Sequence, residues 1–221
     1  MKKIIPFLGL LLTCSSLKAQ DSKWAISFTP AVVISSDLKY AFQPGIEYSF
    51  NDRLSLLTEV AFIPGGRKDL SFSNSKYFRI KPELRYHLRE SKHGLRTYVG
   101  FQTSYTYRKW ENVNGGCYFD KNMYADSIST YNKASISSPI LTSSLQLGTP
   151  FSFGNHFVMD IFMGLGMRMI FTKYSNVENA TKDGYFMPSC KIFPAPAPAY
   201  SISGTVKRFH CNFGVRFLYR L

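Results

Sequence analysis

The chain has 221 residues, 45% hydrophobic and 16% aromatic, with mean hydropathy −0.11, a composition too apolar for a disordered polar chain. Its formal charge is +13, falling to +10 when residues 1–19 and their Lys2, Lys3 and Lys18 are set aside. A basic balance would suit nucleic acid, but no nucleic-acid motif of the usual kinds is present, so anionic lipid headgroups and arginines packed inside the fold account for it instead.

Lys2 and Lys3 precede an apolar run from Ile4 to Leu12, and the polar stretch after it ends Leu17-Lys18-Ala19-Gln20. This is the pattern of a secretory signal peptide over residues 1–19, with the small Ala19 at the cleavage position. The run is too short to cross a bilayer as a helix, and no other run is apolar enough to do so. A rival reading makes Cys14 a lipid-modified cysteine, but Thr13 before it is bulkier than the small residue usual there.

From Trp24 to Leu221 eight stretches alternate apolar and polar residues with a period of two, the period of a strand. Strand one, residues 24–34, turns Trp24, Ile26, Phe28, Pro30, Val32 and Ile34 one way and Ala25, Ser27, Thr29 and Ala31 the other. Strand two ends at Phe50, Asn51-Asp52-Arg53 makes a tight turn, and strand three places Leu54, Leu56, Thr58, Val60 and Phe62 opposite to Glu59. In strand four Phe78, Ile80, Pro82, Leu84, Tyr86 and Leu88 alternate with Tyr77, Arg79, Lys81, Glu83, Arg85, His87 and Arg89, which puts every charge on one face. Strand five, residues 95–107, carries Arg96 and Gln102 on the inner parity that Arg108 continues, and a long polar loop is expected over residues 110–135. Strand six turns Leu141, Leu145, Leu147 and Phe151 outward. Strand seven sets a row from Phe157 to Phe171 against Asp160, Gly164, Gly166 and Arg168, and a second long loop is expected over residues 172–200. Strand eight sets Phe209, Cys211, Phe213, Val215, Phe217, Tyr219 and Leu221 against His210, Asn212, Gly214, Arg216 and Arg220.

Tight turns at one end and large loops at the other, with apolar-out and polar-in strands, predict an all-β fold: an eight-stranded antiparallel up-and-down transmembrane β-barrel over residues 20–221. Its place is the outer membrane, with both termini periplasmic and the long loops extracellular. A soluble sandwich rarely combines strands this long with an outer row such as Met159, Met163, Met167 and Met169. A lipocalin-type barrel keeps apolar residues inside, which the charges at Arg79, Glu83, Arg85 and Arg168 contradict. Pro30, Pro44 and Pro82 predict bulges or strand ends, because a closed barrel has no edge to hide a missing donor.

Gly45-Ile46-Glu47-Tyr48-Ser49-Phe50, Leu54-Ser55-Leu56-Leu57-Thr58-Glu59-Val60 and Pro64-Gly65-Gly66 together resemble the PorT-like outer-membrane β-barrel family of Bacteroidota. Tyr77-Phe78-Arg79-Ile80-Lys81-Pro82-Glu83-Leu84-Arg85-Tyr86 is similar to that family's strand with a mid-strand proline, and Thr97-Tyr98-Val99-Gly100 to its next strand. Lys81 stands before that proline, where the family tends to be apolar, and Glu83 follows it. The resemblance implies a small outer-membrane barrel, in a family whose namesake is linked to protein secretion.

The inner parity collects Glu47, Glu59, Glu83 and Asp160 with Arg79, Lys81, Arg85, Arg96, Arg108, Arg168, Arg216 and Arg220. Side chains fill the interior of an eight-stranded barrel, so these residues are expected to form an ion-pair network that plugs the lumen. The alternative is a narrow porin-like, anion-selective channel. A lipid-modifying enzyme would need a histidine beside a serine at the outer rim; His87, His93 and His156 map to periplasmic turns and His210 to the lumen, so no enzyme activity is expected. No catalytic, metal or cofactor site is expected. The expected role is structural, secretion-associated or loop-mediated binding, as a monomer among outer-membrane lipid and lipopolysaccharide, with a secretion-machinery or extracellular protein as partner. Cys117 and Cys190, one in each long loop, form a candidate disulfide, while Cys211 falls on the lipid-facing parity.

Overall fold

The computed structural model describes residues 23–30, 43–62, 74–88, 96–119, 128–182 and 202–221. The expected leader, Cys14, His93 and Cys190 lie outside them. The described strands are β1 (Trp24–Thr29), β2 (Gln43–Ser49), β3 (Leu54–Phe62), β4 (Asn74–His87), β5 (Tyr98–Phe119), β6 (Ile128–Ser137), β7 (Ile140–Phe153), β8 (Phe157–Glu178), β9 (Thr181–Lys182) and β10 (Gly204–Arg220). All of them belong to one antiparallel sheet.

That sheet closes on itself. Neighbours run β1, β2, β3, β4, β5, β7, β8, β10, and β10 pairs with β1 through Ala25↔Arg220 to Phe28↔Phe217 as well as with β8. β6 extends the line of β7 rather than adding a place to the ring. Ser137 pairs with Lys109 of β5 and Lys173 of β8, while Ile140 pairs with Thr106 and Ile170 of the same two strands. The break between β6 and β7 falls at Ser138-Pro139, where proline lacks a ladder donor. The surrounding backbone compensates: Ser138 N donates to Arg108 O at 2.9 Å and Phe171 N to Pro139 O at 2.9 Å.

Closure follows from the period-two pattern, because each strand puts its bulky apolar residues on one side and its charges on the other. Trp24, Ile46, Phe62, Phe78, Phe101, Leu145, Leu165 and Phe213 all lie exposed on the outer face. Glu59, Glu83, Asp160 and Arg216 are wholly buried inside. The interior also alternates large against small. Along one row Tyr98 pairs with Gly148, Gly148 with Phe162, and Phe162 with Gly214. On the next, Gly100 pairs with Gln146, Gln146 with Gly164, and Gly164 with Asn212. A Cβ on Gly148 would stand 2.3 Å from Tyr98 Cζ, and one on Gly214 2.6 Å from Phe162 Cζ. These glycines make the room that the large side chains occupy.

Three expectations are corrected. Residues 110–135 are in large part strand: β5 runs on to Phe119 and β6 starts at Ile128, so Cys117 lies within β5 rather than in a loop. The polar stretch that suggested a loop contains a bulge between Trp110 and Val113, with Asn112 at φ 56. Trp110, Val113, Tyr131, Ala134 and Ile136 bury one another there, with Tyr174 and Val177 packed alongside. Likewise β8 continues to Glu178, and β9 pairs with β6, inside the loop expected over residues 172–200. Finally, β4 passes through Pro82 without ending or shifting register; Ile80↔Tyr105 and Glu83↔Gln102 flank a gap where the ladder bond is missing. The pairing with β3 holds that position, through Thr58↔Pro82 and Glu59↔Lys81. Pro30 stands just after β1, and Pro44 is the second residue of β2.

Candidate functional site: the interior charge network

Strand parity sends the charged side chains inward, and register decides which of them meet. Glu59 lies opposite Lys81 on β3 and β4, and Asp160 lies opposite Arg216 on β8 and β10. The guanidinium of Arg216 reaches across the ring: Nε donates to Glu59 Oε1 at 3.0 Å, Nη1 to Asp160 Oδ2 at 2.8 Å, and Nη2 to Glu59 Oε2 and Glu83 Oε2 at 3.1 Å each. Its carbon lies 4.4 Å from the ring centre of Phe162. Arg85 is a second hub, donating to Glu83 Oε1 at 2.8 Å, Asp160 Oδ2 at 3.0 Å and Glu47 at 3.4 Å, with Tyr98 4.4 Å beneath it. Lys81 Nζ pairs with Glu59 Oε2 at 2.5 Å. Thr29 donates to Glu59 Oε1 at 2.5 Å and Tyr98 OH to Asp160 Oδ2 at 2.9 Å.

Four carboxylates thus share three cations in a buried region, and the hydroxyls of Thr29, Ser55 and Tyr98 donate to Glu59, Glu47 and Asp160. Buried charge on this scale persists only when each member is paired and hydrogen-bonded. The network ties β2, β3, β4, β8 and β10 together across the interior, which fixes the ring's shape and fills its middle.

Of the residues expected in the network, Glu47, Glu59, Glu83, Arg85, Asp160 and Arg216 are brought together, with Lys81. The others stand apart. Arg79 donates through Nε to Thr106 Oγ1 at 2.9 Å, and Arg108 donates to Ser138 O at 3.1 Å and to Ser138 Oγ at 3.0 Å. Arg168 lies opposite Arg208, half-exposed Arg96 precedes β5, and Arg220 is exposed at the end of β10. Tyr98, Phe162, Thr29 and Ser55 belong to the interior and were not singled out in the sequence. The usable signal was inner parity for the two aromatic residues, which share it with Gln102 and Asp160.

His87 closes β4 facing inward, and its Nε2 lies 3.0 Å from Ser55 Oγ. The Ser55 hydroxyl donates to Glu47 Oε1 at 2.6 Å, so its single proton points away from the histidine. The serine is also fully buried, and the trio extends the network rather than arming a nucleophile. Cys211 is exposed on the outer face, and the proposed partner of Cys117 lies outside the described residues. Among the described residues no cluster of His, Cys, Asp and Glu could hold a metal ion.

A family model matches residues 7–192, which spans β1 to β9 and every member of the network except Arg216. The chain belongs to the DUF3575 family. Its model is described as a protein of unknown function. No curated protein and no solved structure is significantly similar to this chain.

Proposed function

We propose that the ring is an eight-stranded transmembrane β-barrel of the outer membrane, plugged by its charge network. It would act as a rigid anchor that holds the projecting ends of β5, β6 and β8, with β9 and the neighbouring loops, toward a partner outside the cell. The observation that carries this reading is inverted polarity. Residues such as Leu145, Phe157, Phe209 and Phe213 are more than half exposed, while Glu59, Glu83, Asp160 and Arg216 are at 0%. Water-soluble proteins rarely expose apolar patches larger than a few hundred Å², whereas a barrel in lipid needs that outer face.

Further support comes from the aromatic residues at the end where the tight turns lie. Trp24 and Tyr48 have ring centres 4.6 Å apart, Tyr48 and Phe50 5.2 Å, and Phe157 and Tyr219 5.1 Å, as in an interfacial girdle. β1 begins and β10 ends at that side, so in this proposal both termini are periplasmic. The leader pattern and the PorT-like resemblance agree with this placement, and that resemblance favours a secretion-machinery or extracellular protein as partner over a small molecule. Outer-membrane lipid and lipopolysaccharide would surround a monomer.

Refolded into detergent, the chain is expected to migrate faster on gels unboiled than boiled, and to give little or no stable current in planar bilayers. Full solubility without detergent would overturn the membrane reading. Large, reproducible conductance would instead favour the narrow porin-like channel.

A further inference from the structure

Beyond the plug, we propose that the ring holds a binding site for a small oxyanion of the phosphate class, built from Arg79, Arg168 and His210. These side chains line one interior cavity of about 40 Å³, together with Gln102, Asn212 and Lys81. By register the cavity lies next to the plug, on the side toward the projecting strands. Asp160↔Arg216 belongs to the plug; the inward pairs after it are Phe162↔Gly214, Gly164↔Asn212, Gly166↔His210 and Arg168↔Arg208.

Charge is divided along this axis. Among the described residues, the interior carboxylates Glu47, Glu59, Glu83 and Asp160 pair with Lys81, Arg85 and Arg216, and no salt bridge reaches Arg79 or Arg168. Arg168 faces a second cation, Arg208, directly across the ladder, an arrangement that is unfavourable by itself. The Arg168 Nε finds no partner, and the same holds for Gln102 Oε1 and Asn212 Oδ1 on the same cavity wall. Water could satisfy those polar atoms, but it would leave the buried Arg79 and the half-buried Arg168 without a salt-bridge partner. An anion answers both needs.

The chemistry selects the class. Guanidinium forks match the oxygens of phosphate or sulfate. The Gln102 and Asn212 amides can turn their NH₂ groups toward it by a half-rotation. A cavity of about 40 Å³ is on the scale of a small ion or a few waters. Lys81, on the same wall, is already held by Glu59. None of this depends on where the ring resides, so the site stands or falls independently of the membrane reading.

The test uses the full mature chain refolded in zwitterionic detergent, with inorganic phosphate as the probe and sodium chloride holding ionic strength constant. Calorimetric titration should show saturable phosphate binding, and phosphate should raise the urea midpoint. Arg168→Gln and Arg79→Gln should each weaken binding at least tenfold, while Arg220→Gln, at the far end of β10, leaves it unchanged. The stability order supplies a second readout. Without phosphate, Arg168→Gln should match or exceed the unsubstituted chain, because it removes an unpaired charge; with saturating phosphate the order should reverse. No saturable binding at 10 mM phosphate, about ten times a millimolar constant, would overturn the proposal. So would binding that survives both substitutions, or a stability order that phosphate does not alter.

Discussion

Replacing Arg216 by Met is the most direct test of the plug, because this one side chain contacts three carboxylates. Its removal deletes donors at 2.8–3.1 Å from Glu59, Glu83 and Asp160 and keeps an apolar stem against Phe162. The four acids then share only Lys81 and Arg85. Taking one partner from a buried pair costs about 3–5 kcal/mol, since the other charge is left uncompensated. Three carboxylates lose contacts, but the costs do not add, because Arg85 already reaches Glu83 and Asp160 and Lys81 already reaches Glu59. We therefore expect a loss of about 3–5 kcal/mol, read as the shift in urea midpoint of the refolded protein by tryptophan fluorescence. The double variant Arg216→Met with Asp160→Asn restores the balance of charge and should recover about 1–3 kcal/mol, the usual coupling within one network. A single-variant loss below about 1 kcal/mol, the scale of exposed ion pairs, with no coupling to Asp160 would refute the idea that these charges brace the ring.

Gly148→Ala should destabilise by about 1–3 kcal/mol in the same urea assay: its Cβ would stand 2.3–2.5 Å from the Tyr98 ring, which the bond to Asp160 keeps from withdrawing. An unchanged midpoint would show that Tyr98 is not held in place. Cys211, exposed on the outer face, should react in liposomes with a membrane-soluble maleimide but not with a charged, impermeant one when Cys117 and Cys190 are serine. Equal labelling by both reagents would remove Cys211 from the lipid.

How much of this was legible in the sequence depends on whether the question concerns a face or a partner. Faces were legible. In β4 a period of two puts Arg79, Lys81, Glu83 and Arg85 on one side whatever β4 pairs with, and that side is buried. Partners were not, because register is a relation between distant segments. Nothing local to Arg216 says that it will meet Glu59, 157 residues away, while Arg168, on the same parity of a neighbouring strand, meets another arginine. Long strands were also misread where they leave the alternating pattern. The stretch Asn112-Val113-Asn114-Gly115-Gly116 has the composition of a turn, yet it lies in β5 because β6 and the Trp110 cluster hold it there. Turn-formers inside a paired strand mark a bulge, and only the partner strand distinguishes that from a loop.

The same logic explains why the interior holds both a cluster of paired charges and a cavity whose arginines make no salt bridge. A narrow ring forces inward side chains to share limited volume, and the glycines allot it: opposite Gly148 and Gly214 stand Tyr98 and Phe162, the two rings on which Arg85 and Arg216 rest. Those rings pin the two guanidiniums at the height of Asp160, and the acids gather round them. One step toward the projecting strands the small residues are Gly164 and Gly166, which a Cβ would drive into Gln146 and Ser144, and no carboxylate lines the cavity beside them. Arg79, Arg168 and His210 therefore share a cavity that no carboxylate lines. An interior meant only to be filled would have continued the pairing through that level. That it stops, with the cations retained, is the strongest physical reason to look for an anion there.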